Sequence, residues 1–147
     1  MKTIFNDSDF AALEKRVQTL GPVAPRQWGK MDVGQMLAHV NRAIDLSMGN
    51  ISAPSESTWL LRVLIKRWAV GSLPIMKSSP TSDTMRMTDP KDFQIEKQKL
   101  LENLRAAKAR GLAGTWSPHV AFGPLTADEW GRLHHKHLDH HLRQFAA

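Results

Sequence analysis

The chain contains no cysteine. That absence removes disulfide frameworks, thiolate zinc sites, iron–sulfur clusters and cysteine nucleophiles together, so any metal must be held by His, Asp or Glu. An apolar run of membrane-spanning length is missing too. The best stretch, Trp59 to Val70, is interrupted by Arg62, Lys66 and Arg67. The first residues, Met-Lys-Thr-Ile-Phe-Asn-Asp, carry no hydrophobic leader core and turn acidic at once. A cytoplasmic protein with no membrane partner is therefore expected. No segment alternates in the manner of a half-buried strand, and there is no internal repeat or low-complexity tract.

What is present describes an ordinary globular protein. With 147 residues, 41% hydrophobic and 23% charged, the chain reads as one domain over residues 1–147, long enough to bury a real core. The formal net charge of +6 invites a nucleic-acid reading. However, Lys15/Arg16, Lys66/Arg67, Lys97/Lys99 and Arg105/Lys108/Arg110 lie in four separate segments with acids between them. No aromatic residues interleave with them as in a single-strand binding groove, so a solvated basic surface and no nucleic-acid partner are expected.

Helical punctuation is clear along the chain. Asn6-Asp7-Ser8 offers an N-cap ahead of Phe10, Leu13, Val17 and Leu20, and Gly21-Pro22 stops that run. Asp32 with Gln35 forms a capping box for a second helix, whose apolar face is Val33, Met36, Leu37, Val40 and Ile44 and whose end falls near Gly49. Ser57 is the expected cap of a shorter helix running to about Val70, apolar around much of its circumference and so suited to burial or to an interface. The Ser/Thr/Pro-rich segment from Ser72 to Asp89 reads as a long irregular connection. Asp89-Pro90 then predicts a helix start, with Phe93, Leu100, Leu101 and Leu104 facing inward and Gly111 at its end. Thr126 and Glu129 form a second capping box, with Leu125 and Trp130 as a hydrophobic staple. Four long amphipathic helices and one short helix predict an all-α fold.

The last predicted helix holds five of the seven histidines. At about 100° per residue, His134, His137 and His141 fall within roughly 60° of one another, on the stripe that carries Trp130, Leu138 and Phe145. His137 and His141, four apart, stack one turn over the other and can share a cation. A pair supplies only half a tetrahedral site, and two imidazoles hydrogen-bonded to carbonyls or water are the competing reading. His39 sits on the edge of the second helix's apolar face, beside Met36, Val40 and Ala43. If the second and last helices are neighbours, it can face the pair and complete three imidazoles with positions open for water or substrate.

At this point two stretches carry a resemblance. Trp28-Gly-Lys-Met-Asp-Val-Gly-Gln-Met-Leu-Ala-His39 and His137-Leu-Asp-His-His-Leu-Arg-Gln-Phe145 resemble the signature stretches of the DinB-like superfamily, in its bacterial branch described only as a domain of unknown function. His119-Val-Ala-Phe-Gly123 is similar to that branch's His-Pro-x-Phe-Gly stretch, with Val120 in place of proline. The resemblance spans essentially the whole chain. It implies a four-helix bundle of up-down-down-up connectivity and a three-histidine divalent metal site on His39, His137 and His141. It also implies the superfamily's chemistry, in which a metal activates a low-molecular-weight thiol for transfer to an electrophile; other members are labelled metal-dependent hydrolases.

The expected function is accordingly a metal-dependent enzyme of thiol S-transferase or hydrolase type, with zinc or nickel and a small-molecule substrate. The alternative is a non-enzymatic, stress-related bundle that binds a metal or small ligand, with the metal structural or absent. A homodimer through the third helix fits either. His134 and His119 are second-tier catalytic candidates, each weighed against a hydrogen-bonded structural role. Gln35 and Gln144 are placed to orient an imidazole. His135 and His140 read as bystanders, Asp139 as a solvated charge, Asp32 as a cap, and Trp28 and Trp116 as covers for a pocket or a bundle end.

Overall fold

Asn6 starts the first helix by accepting the N–H groups of Ser8 and Asp9 on its side-chain oxygen, at 3.0 and 3.1 Å. The helix, α1, runs Asp7–Thr19 and buries Phe10, Leu13 and Val17. In the computed structural model residues 1–71, 73–77 and 82–147 are described, with positions 63 and 64 described by their backbone alone. The second helix, α2, spans Val33–Met48 behind the expected Asp32–Gln35 capping box and ends on Gly49, whose φ of 76° is in the left-handed region that glycine tolerates. The last helix, α5, spans Ala127–Gln144 behind the reciprocal Thr126–Glu129 box. Leu125 packs beside Trp130, as a staple should.

Two helix starts differ from the sequence expectation. The helix predicted to begin at Asp89-Pro90 is α4, Phe93–Arg110, and its cap is Asp92, whose Oδ1 accepts the Ile95 N–H at 2.9 Å. The carbonyls of Thr88 and Asp89 instead accept from the Gln35 side chain at 3.1 and 3.2 Å, which ties this approach to α2. Similarly, Thr58 rather than Ser57 caps the third helical segment, accepting the Leu61 N–H on its hydroxyl at 3.3 Å. Ser57 Oγ accepts from Arg62 Nε instead, at 2.6 Å. A widened π-helical turn, Leu61–Ile65, leads into the short helix α3, Lys66–Val70. Trp59, Leu60 and Ile65 are exposed and Ala69 is the buried residue of α3, so the segment is not enclosed by its own chain. Of the segment from Ser72 to Asp89, positions 72 and 78–81 lie outside the described residues; the remainder holds a single 3-10 turn, Asp83–Met85.

The fold is all-helical, with five α-helices and no strand among the described residues. There α2 packs broadly along α4, α1 lies against both α4 and α5, and α2 also meets α5. The four long helices thus share one core, with Leu13, Met36, Leu37, Ile44, Leu104 and Leu138 at its centre. The short α3 rests on α5 from outside. Lys136 fixes it there by donating to the carbonyls of Trp68 and Ala69, at 2.8 and 3.0 Å, which places a cation on the negative end of the short helix. No described helix is long and apolar enough to cross a membrane.

At Gly34, α2 passes close to the chain entering α4. A Cβ on Gly34 would stand 2.6 Å from the Lys91 carbonyl oxygen, a backbone atom that cannot swing aside. Alanine is the better helix former, but overpacking of this kind costs about 1–3 kcal/mol and dominates. Gly34→Ala is therefore expected to lower the denaturant midpoint, with a net loss on the order of 1–2 kcal/mol and an unchanged m-value in equilibrium unfolding.

Candidate metal centre

Helix α2 and helix α5 bring three imidazoles together. His39 Nε2 lies 3.0 Å from His137 Nε2, and His141 Nε2 lies 3.1 Å from the same atom. Ring centroids are 5.0, 4.8 and 4.7 Å apart for the three pairs, a nearly regular triangle. One ligand atom from each residue falls within 4.8 Å of the others. His39 and His141 are buried and His137 is half-buried.

The protonation of this triangle follows from its outer hydrogen bonds. His39 Nδ1 is 2.8 Å from the Met85 carbonyl oxygen, which can only accept, so Nδ1 carries the hydrogen and Nε2 a lone pair. His141 Nδ1 is 2.8 Å from Gln144 Oε1. That amide is not free to flip, because its Nε2 donates to the Trp28 carbonyl oxygen at 2.8 Å. His141 therefore also presents a bare Nε2. Two lone pairs face His137 Nε2, and a single hydrogen there can serve only one of them well. An uncompensated lone pair in a buried site is costly, and a cation at the centre of the triangle removes the conflict. Two of the three separations lie near the zinc value, since nitrogens about 2.0–2.1 Å from one tetrahedral zinc stand roughly 3.3 Å apart.

Electrostatics prepare the same arrangement. Burial lowers the pKa of His39, opposed by its bond to Met85. Burial first, and then repulsion from His141 and His39, push His137 well below the usual value. His141 is lowered to about 3, mainly by burial and then by His39, with its bond to Gln144 opposing. All three are neutral near pH 7, the form in which imidazole binds a metal.

The remaining sequence candidates are distributed around this centre. His134 is buried one turn away and outside the triangle. Its Nε2 donates to Ser47 Oγ at 2.9 Å, since the Ser47 hydroxyl hydrogen goes to the Ile44 carbonyl at 2.7 Å. Its partner is thus a side chain, and its ring lies against Trp130 with centroids 5.1 Å apart. His119 accepts the backbone N–H groups of Ala121 and Phe122 on Nδ1, both at 3.1 Å, and so closes its own loop. Gln144 orients an imidazole as expected, whereas Gln35 does not. Its amide is committed to the capping box and to the Thr88 and Asp89 carbonyls.

His135 and His140, read as bystanders, are both buried. His140 packs edge-on between Trp28 and His141, at 5.5 and 5.2 Å. Trp28, covered in turn by the Lys77 ammonium at 4.6 Å, therefore closes one side of the centre. Asp139 is held by Arg16 and Arg143 at 2.7 and 2.9 Å and is only partly exposed. The Met85 carbonyl was invisible to sequence reasoning, because a backbone oxygen on an irregular segment leaves no residue-type signal.

Comparison with known proteins identifies a family. The model described as Protein of unknown function (DUF1569) matches residues 4–147. No curated protein and no solved structure matches the chain.

The buried imidazoles outside the triangle make stability depend on pH. Burial lowers His134 to about 3, with repulsion from His119 adding, and lowers His119 to about 4 against the pull of Glu56. An unfolded histidine titrates near 6.5, so below that pH the unfolded chain binds more protons and gains on the folded one. Thermal melts should be flat above pH 7 and fall steadily toward pH 4. At pH 5 each of these two residues contributes on the order of 2 kcal/mol of destabilisation. A melting temperature that does not fall over that range would contradict the neutral buried assignment.

Proposed function

Because the chain belongs to the DUF1569 family, whose description names no chemistry, we propose its function from the histidine site: His39, His137 and His141 bind one divalent metal ion, and the protein is a metal-dependent enzyme of the DinB-like kind, built on an up-down-down-up four-helix bundle. The observation that carries this reading is the convergence of the Nε2 atoms, with two of the three outer nitrogens tied down as donors. Such outer bonds fix the tautomer and orientation of metal-binding histidines. With zinc or nickel held by three neutral imidazoles, the site supplies a Lewis acid that brings the pKa of a thiol or water toward neutrality.

The chain's own groups favour thiol transfer over hydrolysis. Hydrolysis benefits from a general acid or base, and among the described residues no Asp or Glu joins the histidine cluster. Transfer needs only an activated nucleophile and space for an electrophile. Trp28 and His140 on one side limit water, and half-buried His137 leaves the approach. The substrate pair is a low-molecular-weight thiol and a small electrophile, acted on in the cytoplasm. The exposed Trp59, Leu60 and Ile65 support a homodimer through the third helical segment.

Tag-free protein should copurify with, or take up, one equivalent of divalent metal by elemental analysis and calorimetry. Alanine at His39, His137 or His141 should abolish that uptake, while His135→Ala should retain it. Gln144→Leu, which removes the oxygen facing His141, should weaken affinity by about 10–100-fold. Equal loss from His135→Ala and His141→Ala, or a melting temperature indifferent to both metal and chelator, would remove the basis for the proposal. Catalysis is tested by assaying the metallated protein with thiols against epoxides and alkyl halides, and with esters. Turnover of esters alone would favour hydrolysis, and turnover of none would leave a binding protein.

A further inference from the structure

A cleft of about 620 Å³ opens where the C-terminal end of α2 faces the loop before α5. Leu46 and His39 are seven residues apart on α2, about 10 Å along the helix, so this cleft is separate from the histidine triangle. Leu46, Ile51, Val120 and Pro124 give it apolar walls, interrupted by Ser52, Ser55 and Ser117, and among the described residues no acidic side chain lines it. Two groups supply N–H donors at its edge, Arg62 and His119.

Both donors are set by their neighbours. His119 Nδ1 accepts two backbone N–H groups, so the ring hydrogen must be on Nε2, which makes no hydrogen bond to any described residue. The ring is held flat against Phe122, with centroids 4.2 Å apart and planes 10° from parallel. Burial keeps this imidazole neutral near pH 7, and therefore a donor with one fixed direction. Arg62 is steered by its Nε bond to Ser57 Oγ and rests over Gly123. A Cβ on Gly123 would lie 3.2 Å from Arg62 Nε, and the φ of 70° there favours glycine independently. The two terminal nitrogens of Arg62 make no hydrogen bond to a described residue. Glu56, whose charge is felt at His119, accepts from Thr84 Oγ1 at 2.7 Å.

We propose that this cleft is a binding site for a small carboxylate with an apolar body, its carboxylate on Arg62 and the His119 N–H and its hydrocarbon part against Leu46, Ile51 and Val120. A guanidinium fork matches a carboxylate, the neutral imidazole adds one donor without a second charge, and the apolar walls disfavour a fully hydrated anion. The site does not depend on the metal reading.

The test uses the full chain and its His39→Ala variant, with hexanoate and benzoate as probes and hexan-1-ol and inorganic phosphate as comparators. Calorimetry and amide chemical shifts are the readouts. Hexanoate or benzoate should bind both proteins alike and shift Val120 and Gly123, with the alcohol about tenfold weaker or more. Arg62→Gln, at an exposed position, should keep the melting temperature and weaken the carboxylate about tenfold, with Arg62→Lys between. Carboxylate binding lost in His39→Ala but kept in Arg62→Gln would place the ligand at the histidines and overturn the proposal. Equal affinity for the alcohol, tighter binding of phosphate, or no binding at millimolar probe would overturn it as well.

Discussion

Where two nitrogen lone pairs point is decided by two hydrogen bonds that face away from them. The Met85 carbonyl takes the Nδ1 hydrogen of His39, and Gln144 takes that of His141. With those hydrogens fixed outward, the inner nitrogens can only accept, and they lie 3.0 and 3.1 Å from His137 Nε2. The rest of the arrangement serves this constraint. Gln144 is locked because its amide also reaches the Trp28 carbonyl, and its own carbonyl accepts from Gln27 at 2.8 Å. Met85 is in place because its 3-10 turn packs on α2.

Burial makes the constraint chemically useful. An exposed imidazole titrates near neutrality and competes for protons with any metal. The same ring shielded by α2, α5, Trp28 and His140 stays neutral, and the cluster is ready for a cation without first losing protons. A second set of rings continues along α5: His134 lies on Trp130, which approaches His119, which lies on Phe122. His134 is satisfied by Ser47 and His119 Nδ1 by backbone N–H groups, so similar burial yields a packed wall at one end of the helix and an unsatisfied cluster in its second half.

Much of this was legible from residue order. The capping pairs Asp32/Gln35 and Thr126/Glu129 mark the two helices that carry the site, and both close reciprocally. With the start of α5 fixed, a 3.6-residue period places His137 and His141 on one stripe, and they do meet. Other local signals misled where a partner outside the segment won. Asp89-Pro90 has the right residue types for a helix start, but Asp92 makes the capping bond and the Asp89 carbonyl is taken by Gln35. The third segment, apolar around much of its circumference, reads as suited to burial or to an interface; it lies on the outside of α5 with Trp59 exposed, which removes burial within its own chain. His135 points away from the central stripe and His140 sits at its margin, and both are buried nonetheless.

The sequence alone determined the helices, their phase and the donor types available, because those depend on capping bonds and periodicity within a dozen or so residues. It also excluded cysteine ligands and a cysteine nucleophile outright, since there is no cysteine to supply them. Only the tertiary structure decided that His39 faces His137, which protons sit on which nitrogens, and that Gln144 rather than Gln35 orients a ring. Those outcomes rest on backbone carbonyls and on contacts between residues roughly a hundred positions apart. Neither is encoded in the local pattern of side chains, and both appear only when the helices pack.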